Sequence, residues 1–275
     1  MNKKIGIILA LVLVSLMMVG SVSAGLFDFM GGNDANATAN DENTFIVGFD
    51  AEFPPYGYKD DSGNYTGFDL DLAKEVCERN NWTFQAQPID WDAKDAELES
   101  GSIDCIWNGF TIDGRENDYL WSNPYFDNKQ IFVVKSDSGI STIADLQGKT
   151  VETQKDSSAL AALEGDNKTI ADTFTTLNQV ADYNTAFMDL ESGVCDAVAM
   201  DIGVAEYDID NKNNSDDFTI LDEYITTEKY GIGFKKGNDA LKDQVQATLD
   251  EMFKDGTVLE IAQKYGISED ALIQP

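Results

Sequence analysis

The sequence predicts an α/β protein made of two similar lobes. Three observations lead there. Short apolar runs alternate with segments of helical period, one stretch recurs 92 residues later, and the composition can fill real cores, with 43% hydrophobic and 11% aromatic residues. Strands separated by helices imply a mostly parallel sheet covered on both faces.

The apolar run Thr44–Phe49 reads as the first strand, ending at Asp50. A Pro54-Pro55 turn follows, then a hairpin around residues 61–64 with Gly63 in the turn. Leu72, Ala73, Val76 and Cys77 share one face of a helix predicted over 69–80, and Asp69 at its start reads as a cap. Further strands are expected near 82–87, 103–107, 130–135, 149–153, 195–200 and 230–235. Helices are expected near 92–100, 157–164, 184–192, 238–254 and 257–265.

The repeat pairs Leu98-Glu99-Ser100-Gly101 and Asp104 with Leu190-Glu191-Ser192-Gly193 and Asp196. Each copy is a helix end, a Ser-Gly turn, an aspartate and a buried strand. Gly101 and Gly193 suit the position after a helix, where positive φ is favoured. Such a unit also occurs in α/β proteins of any kind. Read functionally, each lobe offers the carboxyl end of a strand to a shared crevice, as open α/β sheets do. The site then lies near Asn108 and Asp201.

Lys3, Lys4, the apolar run Ile5–Val19 and the small residues Ser21–Ala24 read as a secretory signal, 1–24. Its apolar core is shorter than the ~20 residues of a spanning helix. A retained anchor is the alternative, and no cysteine near the cleavage site indicates a lipoprotein. Residues 25–43 read as a flexible spacer. The protein is expected to be exported, to the periplasm or the outer face of the membrane.

The formal charge of −31 argues against nucleic acid, whose phosphates need Lys and Arg. With no histidine, Ser–His and Cys–His catalysis and His-ligated zinc are excluded. No phosphate-binding glycine loop is present. Cys77, Cys105 and Cys195 are too few for a disulfide scaffold and lie in apolar runs, so buried free thiols are expected. No cofactor, metal or catalytic residue is assigned, and a monomer is expected.

A buried zwitterion needs donors for its carboxylate, acceptors for its ammonium and a shaped wall. Arg115 is one of two arginines against 17 lysines, and its planar fork suits a carboxylate; a solvated surface position is the alternative. Ser157 and Ser158 begin a helix, as anion donors, caps or both. Asp201 ends a strand as an ammonium acceptor or a helix cap. Asp50, Phe53 and Trp91 stand at strand ends, where aromatics can cover a side chain or serve as core.

The ordered motifs Val47-Gly48-Phe49-Asp50 through Pro54-Pro55-Tyr56, Gly67-Phe68-Asp69-Leu70-Asp71-Leu72, Trp91-Asp92, Ser122-Asn123-Pro124-Tyr125, Asp145-Leu146-Gln147-Gly148-Lys149 and Tyr230-Gly231-Ile232-Gly233 resemble the polar amino-acid-binding proteins, solute-binding family 3, over roughly 44–268. The resemblance implies a type II periplasmic-binding fold with two crossover strands, near 130–135 and 229–235. Lobe 1 would comprise 44–132 and 232–275, and lobe 2 133–231. It implies capture of a small polar amino acid for the permease of an ABC importer. By the same resemblance Asp50, Phe53 and Trp91 line a side-chain pocket, and Asn108, Gly109 and Thr111 form a clamp. Arg115 anchors the carboxylate, Ser157 and Ser158 form the second-lobe anion site, and Asp201 accepts the ammonium. Arg115 stands one residue closer to its clamp threonine than is usual in the family. The family's optional partner of Cys77 is here Phe84. The alternative function is a dehydratase of the prephenate/arogenate type on the same fold, for which Glu52 is the nearby acid.

Overall fold

A computed structural model describes residues 43–274. The predicted signal segment, and all of the predicted spacer but Asn43, lie outside those residues. In chain order the first lobe holds β1 (Thr44–Phe49), β2 (Glu52–Phe53), β3 (Gly57–Lys59), β4 (Tyr65–Thr66), α1 (Phe68–Asn80), β5 (Thr83–Pro88), α2 (Lys94–Ser100), β6 (Cys105–Ile106) and β7 (Leu120–Trp121). The second lobe holds β8 (Phe126–Lys135), β9 (Thr150–Gln154), α3 (Ser158–Glu164), α4 (Lys168–Ala171), β10 (Thr176–Val180), α5 (Tyr183–Ser192), β11 (Ala197–Asp201), α6 (Ile202–Asp210) and β12 (Phe218–Tyr230). The chain then returns to the first lobe with β13 (Gly233–Phe234), α7 (Asp239–Asp255) and α8 (Thr257–Lys264).

The two main sheets have matching orders, β5-β1-β6-β13-β7 and β10-β9-β11-β8-β12. In each, four strands run one way and one, β13 or β8, runs against them, so two of the four pairings are parallel and two antiparallel, and the sheets are mixed rather than mostly parallel. Only the last two residues of β12, the longest strand, fall within a predicted strand, the crossover near 229–235. Its sequence alternates buried and exposed residues over only part of its length. All of β8 from Phe126 pairs into the second sheet, so the chain changes sheet before Phe126 rather than between 132 and 133.

The recurring stretch does the same job in both lobes. Gly101 and Gly193 end α2 and α5 with φ of 79° and 80°. Asp104 then exchanges two bonds with Ile46: its N–H donates to the Ile46 carbonyl (2.8 Å), and its carboxylate accepts from the Ile46 N–H (2.7 Å). Asp196 repeats this with Thr150, at 2.8 and 2.8 Å. The carboxylate thus sets the register of β1 against β6, and of β9 against β11.

One apolar cluster is confined to the second lobe, around Phe132, Val151, Leu163 and Ala199. The largest runs through both lobes, from Val47 and Leu72 past Phe53, Tyr56, Phe126 and Tyr230 to Met200. Truncating a fully buried member such as Leu72 to alanine would cost about 2–5 kcal/mol. All three cysteines are free and buried. Among the described residues no helix is long and apolar enough to cross a membrane.

Candidate ligand-binding site

The carboxyl ends of β6, β9 and β11 meet across the gap between the lobes. One cavity there is lined by Phe53, Trp91, Asn108, Gly109, Thr111, Arg115, Gln154, Ser157, Ser158 and Asp201. Nine of these are residues singled out from the sequence. Asp50 is the exception, and Gln154 takes its place. The Asp50 carboxylate accepts from Gln154 Nε2 (2.5 Å) and from the Glu52 N–H (2.8 Å), which sets it behind Gln154. It faces instead an adjoining acidic hollow with Glu52, Asp90, Asp92, Glu97 and Asp182, which Trp91 also lines. Burial raises the Asp50 carboxyl to about 6, although both hydrogen bonds favour the charged form.

The first-lobe clamp depends on a residue read from the sequence as a cap. Gly67 occupies the N-cap position of α1 and Asp69 lies within the helix, fully buried. The Asp69 carboxylate accepts from the Gly109 N–H (2.6 Å) and the Tyr125 hydroxyl (2.7 Å). Burial raises its carboxyl to about 7. Gly109 has φ +55°, and a Cβ there would meet the Phe53 ring at 2.8 Å. The close approach that shapes this wall therefore requires glycine.

Arg115 stretches from the first lobe to the second. Its Nη2 donates to the Asp156 carbonyl (3.1 Å) and its Nη1 to the Thr111 carbonyl (3.4 Å), and its guanidinium packs 5.3 Å from the Phe110 ring centroid. Asp156 has φ +58°, a left-handed conformation uncommon for a residue other than glycine. Its carboxylate meets Lys94, a buried lysine whose Nζ also sits 5.1 Å from the Trp91 ring centroid. One face of Trp91 is thus already covered by a protein cation. Three more contacts cross the gap: Lys155 with Asp92, Asn184 with Glu52, and the Phe53 and Tyr183 rings 6.0 Å apart.

In the second lobe Ser157 caps α3, its hydroxyl accepting from the Leu160 N–H (3.1 Å). Ser158 Oγ accepts from Gln130 Nε2 (2.8 Å). Asp201 precedes α6 but makes no side-chain capping bond, so the cap alternative fails. Its Oδ1 instead accepts from Asn128 Nδ2 (2.7 Å), Gln130 Nε2 (2.8 Å) and the Tyr230 hydroxyl (2.5 Å). The same two amides reach Glu228 Oε1, each at 2.7 Å. The two carboxylate oxygens are therefore within about 5.4 Å, twice that bond length. At an effective dielectric of about 20, two charges so placed repel by about 3 kcal/mol. Burial, and then the Glu228 charge, hold the Asp201 carboxyl well above the usual carboxylate range.

Gln154, Lys94, Asp69 and Glu228 escaped the sequence reading as contributors to the site. Glu228 carried one usable signal: period-two alternation puts it on the same face of β12 as the buried Tyr230.

Fold and site together define a two-lobed binding protein, with a cavity where the sheets meet that is lined by charged, polar and aromatic side chains of both lobes. The chain matches the bacterial extracellular solute-binding proteins, family 3, over residues 45–268, and it belongs to that family. It is 29% identical to the L-cystine-binding protein TcyJ of Escherichia coli K12, over 82% of this chain and 83% of that one. It is 30% identical to a probable histidine-binding protein of Neisseria gonorrhoeae, over 86% and 89%. An ABC uptake transporter substrate-binding protein from Streptococcus pneumoniae, solved with bound histidine, is similar at TM-score 0.81 and 34% identity, covering 84% of this chain and 95% of that one.

Proposed function

We propose that the protein captures a polar amino acid between its lobes and delivers it to the permease of an ABC importer, outside the cytoplasm and without catalysis. One observation carries the reading: a guanidinium from one lobe and a carboxylate from the other, Arg115 and Asp201, line the same cavity. That is the pair of opposite charges a zwitterion needs at its two ends. The names of the relatives point the same way. Asn108, Gly109 and Thr111 would hold the ligand from the first lobe, Ser157 and Ser158 from the second, and Phe53 and Trp91 would flank its side chain. The acidic hollow beyond Gln154 favours a cationic or amide side chain over an acidic one. Glu52, the acid a dehydratase would need, lines that hollow and not the cavity.

A thermal-shift panel of the twenty amino acids and L-cystine tests this. A ligand at a hundred times its Kd adds about 2.7 kcal/mol to stability, which is roughly 5–10 °C in a protein of this size. A flat response to the whole panel, with a shift from a sugar or a peptide, would refute it.

A further inference from the structure

The buried acidic pair in the second lobe has a consequence beyond ligand recognition. We infer that Asp201 and Glu228 act as one proton-exchanging ammonium seat: the pair keeps one proton between them when no ligand is bound, and an arriving ammonium expels it. This rests on the amino-acid-binding reading and adds to it a second carboxylate and a proton that leaves on binding.

Strand register brings the pair together. β8 and β12 are antiparallel, with Asn128 opposite Glu228, and β11 places Asp201 opposite Gln130. Alternation along the strands turns Asn128, Gln130, Glu228 and Asp201 into one buried patch. The Asn128 amide donates to both carboxylates, and the Gln130 amide nitrogen lies within 2.8 Å of both as well as of Ser158 Oγ. Gln130 has only two amide hydrogens for those three acceptors.

Among the described residues, the groups around the pair supply no positive charge. β8 brings only the two amides, β12 brings Tyr230, α3 brings Ser158 and α5 brings Tyr183. Tyr56 faces the pair from the first lobe. Lys129 and Lys229 point to the opposite, exposed sides of their strands. Arg115 lines the cavity, but it donates to two backbone carbonyls. Two buried carboxylates this close, served only by neutral donors, cannot both stay ionised cheaply. A proton relieves the repulsion, and so does a ligand ammonium. All hydrogen bonds to Asp201 among the described residues fall on Oδ1, while Asp201 lines the cavity. The ammonium therefore meets Oδ2. The carboxyl O–H bond breaks, the proton passes to solvent, and ammonium N–H bonds to the carboxylate replace it.

Isothermal titration calorimetry of the whole chain, in buffers of different ionisation heat, counts that proton. The probe is whichever of L-arginine, L-glutamine and L-cystine raises the melting temperature. If L-histidine is the one bound, its own imidazole titration is subtracted. The wild type should release up to roughly one proton per ligand near neutrality, and its affinity should climb by up to about tenfold per pH unit below the pair's titration. Glu228→Gln should abolish the release and flatten the pH profile. Asp208→Asn, which removes a carboxyl that burial raises to about 7 outside the cavity, should leave the release in place. Binding without proton exchange at any pH between about 5.5 and 8, or equal release from Glu228→Gln, overturns the inference and leaves the binding function intact. Failure of every amino acid to bind overturns the function, and the inference with it.

Discussion

At the residue scale, Asp201 is where a single change is most informative. Asp201→Asn keeps the shape and can keep an acceptor for Asn128, Gln130 and Tyr230, but it deletes the charge. Ligand affinity measured by calorimetry should fall by about 2 kcal/mol or more, roughly thirtyfold, because a buried ammonium loses its counter-charge. The unliganded melting temperature should hold or rise, since the folded state no longer has to take up a proton to offset burial and the Glu228 charge. Wild-type affinity in this variant would remove Asp201 from the site. Seven of the ten lining residues were legible in themselves because they sit where strands end, a place marked by turn residues and by the repeat, and Gly109 and Thr111 were legible only through the family resemblance. Lys94 was not. A lysine in a helical run reads as solvated, and only a carboxylate from the other lobe, together with the Trp91 ring, makes its burial tolerable.

At the scale of elements, the repeat becomes a statement about energy. Asp104 and Asp196 each fasten the start of a parallel strand through a backbone N–H that alanine would leave without that acceptor. Asp104→Ala and Asp196→Ala should each cost about 1–3 kcal/mol in urea unfolding. The two losses should add within about half a kcal/mol, because the sites lie in separate lobes and share no partner. A loss in one lobe only would show that the two stretches are not equivalent. The mixed character of the sheets was harder to read. Strand direction is set by which neighbour offers its edge, and β8 and β12 find each other across 83 to 104 residues of chain.

At the scale of the whole molecule, charge and closure dominate. Burial raises the carboxyls of Asp50 to about 6 and of Asp69 and Asp208 to about 7. Their folded pKa values exceed the unfolded ones, so their ionisation weakens the fold as pH rises through 6 and 7. As pH falls, the folded state takes up these protons first and stability increases, with the gain complete below about 4. Asp60, Asp145 and Asp255 have lowered pKa values and act oppositely in stronger acid. The unliganded protein should therefore melt highest near pH 5, not at 7–8, and a scan of melting temperature against pH checks this. The charge of −31 adds to the trend, since protonation also relieves general repulsion.

Closure has its own test. Lys94 is buried in the first lobe, and its carboxylate partner, Asp156, belongs to the second. Lys94→Met keeps the packing but removes this link between the lobes. Small-angle scattering of the ligand-free variant should give a larger radius of gyration than wild type, and ligand should be held less tightly. Identical profiles would mean that the ion pair does not favour the closed arrangement.

The sequence by itself determined the α/β class, the two-lobed plan, the strand ends that carry the site and the family. These follow from apolar periodicity, from glycines that only a helix end or a close wall requires, and from motifs in a fixed order. Tertiary structure alone decided what stands behind the site: Gln154 in front of Asp50, Asp69 beneath Gly109, Lys94 against Trp91, and Glu228 beside Asp201. Three of these pairs join residues far apart in the chain, and Lys94, a neighbour of Trp91 in sequence, finds its carboxylate only in Asp156, 62 residues on. No local pattern encodes such a meeting, because the partner that makes the burial tolerable is supplied only by the fold.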